Sequence, residues 1–436
     1  MIEIIDKIIP SLRFKFPYSA EEFAEHLCFE NYHCHKDFSN TLIADSGEPI
    51  ENYAKRSLEL GAKCLFSGEH GSQGNQFHVY NVAEKNKLRY RHSTEAYWVK
   101  DRLAEIQTGI DKNGKPTFGK DRKNCHMILV AKNAEGRKDI NFALSMANID
   151  GYYYRPRIDL ELLFNIPKAN IIVTSACLAG WGYEDSADIW LRVADYFGDN
   201  FFFEVQANLT DEQKALNEKI LDLSAKYGID IIAGLDSHYI GESGRVKREQ
   251  ILKYKNIEYP EEFGWFMDYP DGQTFLNRFK EQGILSEEQA LRSVMNTNLF
   301  VNECEEIVFD RRFKIPSAYK NKTYDEKVKI FKNILNQAYK KEKNKSKEKA
   351  DGIRYEARQI IDSGVVDYFL TSQAIVKDAV ENEGGILTPT SRGSAASYII
   401  NKLLGLTTVD RTISEVPIFP ERFLTKERVQ AGMMPD

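Results

Sequence analysis

Seven short apolar runs, each ending in polar residues and followed by a helix-like segment, constrain what the first 245 residues of this chain can fold into. The runs lie at 28–35, 62–71, 88–99, 124–133, 170–180, 201–209 and 229–239. Helical patterns separate them, such as residues 211–228, which end on a glycine suited to a helix C-terminus. Strands that alternate with helices predict parallel strands joined by crossovers. We therefore expect an α/β fold, a seven-stranded β/α barrel with its chemistry at the C-terminal strand ends.

Charge and composition exclude several classes of protein. The net charge of −6 over 436 residues means that any contact with a polyanion must be local. The first 16 residues mix acids and bases, which argues against a signal peptide. No stretch of about 18 apolar residues is present, so no membrane span is expected. Six cysteines without a C-x-x-C pair favour a reducing, cytoplasmic location.

The polar residues at the ends of the runs share the chemistry of metal ligands. They are imidazoles, carboxylates and one thiol: His33, His35, His70, Glu95, His126, Cys177, Asp236 and His238, with Glu204 available on the sixth run. Because strand ends of a barrel meet at one mouth, these groups are expected to converge there. Such a mixed set suits divalent cations of zinc, manganese or iron. A cluster of two or three such cations activates water and holds a phosphoryl group from both sides.

The motifs that carry these residues resemble those of a known family. The stretches "YHCHKDFS", "SGEHGS", "HSTEAYWV", "CHMILVAKN", "TSACLAG" and "LDSHY" are similar to the successive motifs of PHP (polymerase and histidinol phosphatase) domains. The resemblance implies a distorted seven-stranded β/α barrel, occupying residues 1–245, with a trinuclear site and nine ligands. Eight of them match the residues named above other than Glu204, and the ninth is Asp45 or, alternatively, Asp37. Glu69, where the family more often has aspartate, is expected to orient His70.

Beyond residue 245 the pattern changes to a mainly helical connector, expected over 246–363, and then to an apolar segment, 364–436. The basic run 340–349 is expected to be a solvated helix face or linker, with a DNA-backbone contact as the alternative. In the last segment, "TSRGSAAS" offers three groups suited to phosphate: the Arg392 guanidinium, the Gly393 backbone and the Ser394 hydroxyl. The stretch predicts either a phosphate cradle or an ordinary turn into a helix.

The motifs near residue 436 resemble the start of the palm domain in C-family replicative DNA polymerases. The stretches "TPTSRGSAASY", "LGLTTVD", "FPERFLTKER" and "MPD" match in order. The resemblance implies an incomplete α+β palm over 364–436, in which Asp436 is one of the carboxylates that hold catalytic Mg²⁺. It also implies primer–template DNA and dNTP as partners, and a sliding clamp only through regions beyond this sequence. Polymerisation is expected to need a C-terminal portion or a second polypeptide, the chain being a fragment, half of a split gene product or a remnant.

Three functions are consistent with these patterns. The first is the N-terminal part of a replicative DNA polymerase whose PHP domain hydrolyses phosphodiesters as a 3′–5′ proofreading exonuclease. The second is a PHP phosphoesterase acting on small phosphate esters, against which the polymerase-like "ACLAG" around Cys177 and the palm-like segment argue. The third is a scaffold without catalysis, which would contain no bound transition metal.

Overall fold

The predicted runs become strands in a computed structural model that describes residues 1–41, 45–312, 314–391 and 393–434. The chain divides into two units, Met1–Phe309 and Asp310–Asp436. The strands of the first unit are β1 Cys64–Phe66, β2 Glu69–His70, β3 Arg89–Arg91, β4 Ser93–Trp98, β5 Glu105–Ile110, β6 Pro116–Lys120, β7 Cys125–Ala131, β8 Arg157–Ile158, β9 Ile171–Thr174, β10 Phe201–Val205 and β11 Ile231–Ala233. Its helices are α1 Ile2–Ile8, α2 Ala20–His26, α3 Ile50–Glu59, α4 Gln76–Asn86, α5 Ala134–Ile149, α6 Leu160–Phe164, α7 Ser186–Phe197, α8 Asp211–Tyr227, α9 Glu242–Lys255, α10 Gly272–Gln282, α11 Glu287–Asn296 and α12 Leu299–Asn302.

The strands form a barrel in which each predicted run occupies one strand position. Hydrogen bonding orders the main sheet as β11, β10, β9, β7, β4 and β2, and β1 pairs with β3 beside it. The first run closes the ring, because Cys34 forms a parallel bridge with Ser237, just after β11. On its other side, the Nζ atom of Lys36 donates to the carbonyl oxygen of Phe66 in β1 at 3.3 Å. The distorted seven-stranded β/α barrel is thereby confirmed.

One strand breaks the predicted parallel arrangement. β7 runs antiparallel to both of its neighbours, β4 and β9, so the expectation of a wholly parallel barrel is wrong at this position. The reason lies in the connection: β4 and β7 are joined through the antiparallel hairpin of β5 and β6 rather than through a crossover helix. An antiparallel neighbour can be reached without a crossover. Consequently β7 begins, rather than ends, at the mouth of the barrel.

The barrel interior and the surrounding helices form one apolar core. Buried residues from β1, β3, β4, β7, β8, β9, β10 and β11 belong to it, as do those from the helices that follow the strands. Close approach of α5 to the strand region depends on Gly136, because a β-carbon there would overlap the carbonyl oxygen of Asn170. Asn133 begins this helix by accepting a hydrogen bond from the Gly136 amide at 2.9 Å.

Residues 246–309 pack with the barrel instead of forming part of a separate connector. Asn296 donates to the carbonyl oxygen of Ile231 at 2.8 Å, and the Thr297 hydroxyl accepts from the Glu30 amide at 3.0 Å. The expected division at residues 245 and 363 therefore differs from the observed division after Phe309. Helical periodicity alone carries no signal of which core a helix covers, which explains the difference.

The second unit is helical throughout the residues that the structure describes. Its helices are α13 Tyr324–Lys341, α14 Lys347–Asp362, α15 Val366–Glu381, α16 Ile399–Leu403 and α17 Lys426–Gln430. Helices α13 and α14 agree with the helical character expected of the second half of the connector. No strand is present in residues 314–391 and 393–434, so the α+β character expected of the last segment is not seen there. Phe331, Phe369 and Tyr398 are among the residues of its separate apolar core.

The basic run 340–349 is only partly a solvated surface. Lys349 is buried, and its Nζ lies 2.5 Å from carboxylate oxygens of Glu342 and Asp410. Lys402 pairs with the same two carboxylates at 2.9 and 3.1 Å. The run thus ends in an internal ion-pair network that ties α14 to the segment after α16.

Candidate metal centre

The mouth of the barrel gathers the side chains that the sequence places at strand ends. All nine predicted ligands are found there, and eight of them are buried: His33, His35, Asp45, His70, Glu95, Cys177, Asp236 and His238, with His126 half-buried. Two of the ligands follow sharp backbone turns, since Ala176 and Asp236 adopt positive φ values of 54° and 50°. Such conformations are uncommon for residues other than glycine and are enriched at functional sites.

The first part of the cluster centres on His33. A carboxylate can only accept a hydrogen bond, so the 2.7 Å contact between His33 Nδ1 and Glu204 places the imidazole proton on Nδ1. On the other side of the ring, Nε2 faces Glu95 Oε1 and Asp236 Oδ1, each at 3.2 Å. Three electron-rich atoms at such distances repel one another unless a cation or proton lies among them.

His35 repeats this arrangement on the other side of the same carboxylates. Its Nε2 lies 3.3 Å from Glu95 Oε2 and 3.2 Å from Asp236 Oδ1. Burial, reinforced by the neighbouring His70, lowers the pKa of His35 to about 3, which keeps this imidazole neutral and able to donate a lone pair. His33, His35 and Asp236 form one of the groups whose ligand atoms all lie within 4.8 Å of one another.

A second part of the cluster joins His70, His126 and Cys177 to the same Glu95. His70 Nδ1 lies 2.6 Å from Glu95 Oε2, and His126 Nδ1 lies 2.8 Å from Glu95 Oε1. The sulfur of Cys177 is 3.6 Å from His126 Nδ1 and 3.9 Å from Glu95 Oε1. Glu95 therefore occupies the centre of the cluster, with both oxygens facing imidazoles.

Asp45, one of the two candidates predicted for the ninth ligand, lies in the cluster. Its Oδ2 lies 2.8 Å from His70 Nε2 and 2.6 Å from His238 Nε2. Asp37, the alternative, is exposed on a short 3₁₀ helix. Arg248, which the sequence did not single out, fixes Asp45 by donating to its Oδ1 at 2.9 Å and to its carbonyl oxygen at 2.6 Å.

The buried polar atoms of the cluster lack the partners that folded proteins normally provide. Among the described residues, five such atoms make no hydrogen bond of suitable angle, although His70 Nδ1 and Glu95 Oε2 lie only 2.6 Å apart: Nδ1 and Nε2 of His35, Nδ1 of His70, Oε2 of Glu95 and Oδ1 of Asp236. Leaving groups of this kind unsatisfied in a protein interior costs free energy. The donor set of imidazole, carboxylate and thiol fits divalent transition metals, and cations would satisfy these atoms.

Electrostatics in the cluster depend on positive charge. Burial opposes ionisation of Glu95, yet the imidazoles of His126 and His70 hold its pKa well below the usual range. Burial together with the carboxylates of Asp236 and Glu95 raises the pKa of the Cys177 thiol well above its usual value. A coordinating thiol is deprotonated by a bound cation, so Cys177 becomes a strong ligand only with metal present.

Two carboxylates behind the cluster have roles that spacing could not assign. Glu204 accepts from His33, from Tyr32 Oη at 2.8 Å and from Gln206 Nε2 at 2.8 Å, so it supports His33 from behind. Glu69 does not take the expected place beside His70. Its carboxylate accepts from Asn75 at 2.7 Å and lies 3.4 Å from the buried Lys36 ammonium.

The residues predicted for nucleotide binding lie in the second unit. Gly393 adopts a φ of +82°, and Ser394 precedes a 3₁₀ turn, Ala395–Ser397, that leads into the five-residue α16. The turn is therefore present, but the helix behind it is short. Arg392 and Asp436 lie outside the described residues.

Comparison with protein families assigns both parts of the sequence. The model of the PHP domain matches residues 31–208, and that of the bacterial DNA polymerase III alpha NTPase domain matches residues 325–436. DNA polymerase III subunit alpha of Aquifex aeolicus is 27% identical over 94% of this chain and 36% of its own length. The Helicobacter pylori subunit is 25% identical over 94% of this chain and 35% of its own length. The chain thus spans about a third of the length of these curated relatives.

A solved amidohydrolase from Chromobacterium violaceum covers 48% of this chain and 87% of its own. Its sequence identity is 12% and its TM-score 0.30, which is too low to establish a common fold. None of the described helices combines the length and apolarity needed to cross a membrane.

Proposed function

Because the chain joins a PHP domain to a DNA polymerase III alpha segment, we propose that its barrel is a metal-dependent phosphodiesterase that removes nucleotides from the 3′ end of DNA. The observation that carries the proposal is the buried cluster around Glu95, in which imidazoles, carboxylates and a thiol converge and five buried ligand atoms make no hydrogen bond. Similarity to polymerase subunits along most of the chain favours DNA over a small phosphate ester as the substrate.

The nine clustered residues divide the task of holding the cations. His33, His35 and Asp236 would hold one cation, His70, Glu95 and His126 a second, and Asp45 with His238 a third, while Cys177 lies with His33 and Glu95. When bound, two or three ions of zinc, manganese or iron supply a hydroxide nucleophile and charge that stabilises the phosphoryl oxygens.

The surrounding residues prepare the site for this chemistry. Glu204 fixes the tautomer of His33, so that Nε2 presents its lone pair to the mouth. Arg248 offsets part of the charge on Asp45 and holds its carboxylate towards His70 and His238. Burial of the cluster lowers the local dielectric, which strengthens each charge interaction there.

The region 325–436 is proposed to contribute to a polymerase site for dNTP and primer–template DNA. In that proposal Arg392, Gly393 and Ser394 contact phosphate, and Asp436 joins other carboxylates in holding Mg²⁺. A C-terminal polymerase portion or second polypeptide is proposed to provide the remaining groups. The proposed location of such a protein is the cytoplasm.

The test uses the whole chain, with single-stranded DNA labelled at its 5′ end. We expect stepwise shortening from the 3′ end that requires added Mn²⁺ or Zn²⁺ and is abolished by EDTA. His33→Ala and Asp236→Ala should each remove the activity and lower the metal content measured by elemental analysis. The matched control is His26→Ala, since this imidazole is exposed at the end of α2 and belongs to none of the candidate ligand groups.

The same assay separates the alternatives. Faster turnover of small phosphomonoesters than of DNA ends would replace the exonuclease with a small-molecule phosphoesterase. A folded protein without bound transition metal and without hydrolysis would indicate a scaffold. If His33→Ala retained full nuclease activity, the activity would come from another source and the proposal would fail.

A further inference from the structure

A loop beside the cluster, Gly151–Arg157, carries groups that the metal centre does not use. Its sequence is "GYYYRPR", and it leads from α5 into β8, which pairs with the end of β4. Tyr152 and Tyr154 are 52% and 65% exposed, although large aromatic side chains are usually well buried. We refer to this segment as the tyrosine loop.

The tyrosine loop reaches the metal centre through Arg155 and Tyr97. The guanidinium carbon of Arg155 lies 5.9 Å from the centre of the Tyr97 ring. That ring in turn stacks on His70, with centroids 5.8 Å apart, and meets His126 edge-on at 5.2 Å. Only one aromatic ring therefore separates the guanidinium from two ligand imidazoles.

Arg155 and Tyr97 both keep unused hydrogen-bonding groups. Among the described residues, the buried Nε of Arg155 and the Oη of Tyr97, a residue only 1% exposed, have no hydrogen-bond partner. No carboxylate in that part of the chain lies within ion-pair distance of Arg155, whose Nη1 donates only to the carbonyl of Tyr154 at 3.1 Å. The guanidinium therefore has donors available for an added anion such as a phosphate group.

The backbone of the loop is strained at the residue before Arg155. Tyr154 has a φ of 60°, a left-handed conformation that is costly for a bulky side chain. Two contacts of the neighbouring Tyr153 hold this conformation in place. The Tyr153 amide donates to the Arg155 carbonyl oxygen at 3.0 Å, and the guanidinium carbon of Arg157 lies 5.3 Å from the centre of the Tyr153 ring. Strain of this kind is retained where it positions a side chain for function.

Space for a strand of nucleotides adjoins the loop. A cleft of about 610 Å³ begins at Gly71, next to the ligand His70, and extends along α5 to Ile149. Its lining includes amide and hydroxyl side chains, among them Gln73, Asn141 and Asn148, which suit the edges of bases and sugars. Gly71 also lies against the loop, because a β-carbon there would stand 3.0 Å from Pro156.

We propose that the tyrosine loop binds the 3′-terminal nucleotide of a single DNA strand, with Arg155 and Tyr97 contacting phosphate oxygens and Tyr154 stacking on the base. The proposal rests on the phosphodiesterase function argued above and assigns its substrate as a polynucleotide end. A guanidinium binds phosphate oxygens bidentately, and stacking on tyrosine accepts any base. These two contacts explain why an unpaired arginine and an exposed, strained tyrosine stand together at the mouth.

The test measures binding rather than turnover. The probe is a fluorescent oligothymidylate whose 3′-terminal linkage is a phosphorothioate, mixed with the Mn²⁺-loaded chain and followed by anisotropy at several salt concentrations. Tyr154→Gly should bind about tenfold more weakly because the stacking contact is lost. It should also unfold at the same or a higher temperature, because glycine accepts the left-handed backbone without strain.

Arg155→Gln tests the phosphate contact. We expect weaker binding and a slope of log affinity against log salt that is reduced by about 0.7, the value for one phosphate contact to a single strand. Metal content should equal that of the wild type. The matched controls are Arg192→Gln and Tyr254→Ala, which change exposed residues on α7 and α9.

The outcomes distinguish this proposal from the one before it. If both variants bind the probe as tightly as the wild type, the tyrosine loop is not the nucleotide site, whatever the nuclease assay shows. If the wild type binds the probe through Arg155 and Tyr154 but hydrolyses no DNA, the loop assignment stands and the phosphodiesterase function fails.

Discussion

Glu204→Gln isolates the support that a residue behind the cluster gives to a metal ligand. The Glu204 carboxylate accepts four hydrogen bonds, from His33, Gln206, Tyr32 and Thr174, at 2.7, 2.8, 2.8 and 3.1 Å. Glutamine keeps the size but has one acceptor oxygen and a donor NH₂ group that opposes these donors. The His33 proton is then no longer held by a negative charge, and Nε2 loses its fixed orientation.

The magnitude follows from the kind of hydrogen bond that is lost. A hydrogen bond to a charged group contributes about 1.5–3 kcal/mol, against about 1 kcal/mol for a neutral one. A net loss on the order of 2 kcal/mol at His33 corresponds to roughly 30-fold weaker cation binding. Loss of such an outer partner typically weakens metal affinity by about 10–100-fold.

Metal-free protein, titrated with Zn²⁺ against a chromophoric chelator, provides the measurement. Glu218→Gln is the matched control, because Glu218 is exposed on α8. Circular dichroism and thermal unfolding establish that Glu204→Gln is folded, and Glu204→Asp, which keeps the charge, should lose less affinity. Equal Zn²⁺ affinity in folded Glu204→Gln and wild type would refute the argument that Glu204 sets the tautomer of His33.

Two further predictions concern stability. Gly136→Ala should lower the free energy of unfolding by about 1–3 kcal/mol, because its β-carbon would overlap the Asn170 carbonyl. Denaturant unfolding measures this change. The control is Gly241→Ala, which should change the free energy of unfolding little, because no described atom lies within 4 Å of the added β-carbon. Burial, with the nearby Arg137, lowers the pKa of His92 to about 3, and Tyr90 Oη donates to its Nδ1 at 2.8 Å. Since this folded-state pKa lies below the unfolded value, stability from the neutral ring is complete above about pH 6.5 and is lost as the pH falls towards 3, by about 2 kcal/mol at pH 5. His92→Gln should lack this loss between pH 7 and pH 5, and a variant with the same pH dependence as the wild type would contradict it.

The sequence predicted the barrel and its cluster because strand ends and ligand chemistry are both local patterns. Each apolar run forms part of the barrel wall. The side chains of His33, Glu95 and His238 lie in the same cluster at the barrel mouth, although they are far apart in the sequence. The direction of β7 was not predictable, because a run of apolar residues does not indicate whether the strand runs parallel or antiparallel to its neighbours. His126 nevertheless reached the mouth, since it stands near the start of an antiparallel strand.

Other features depended on contacts that no pattern encodes. Arg248, on a helix about 200 residues from Asp45, donates to it only because α9 folds back on the mouth. The same applies to Glu204, whose partners come from three different strands or loops. From the sequence, helices α10 and α11 were assigned to a connector, because the amphipathic periodicity of a helix is the same whichever core the helix covers.

The β5–β6 hairpin is a position at which residues can be inserted without altering the strands of the barrel. The two strands pair with each other in a sheet of their own, and both connections return to the mouth, one from Trp98 and one to Cys125. Residues added between them would lengthen an exposed hairpin and leave the pairing of the barrel strands intact. Chain length can therefore change here without a change in the barrel, which makes the hairpin a suitable point for inserting a segment.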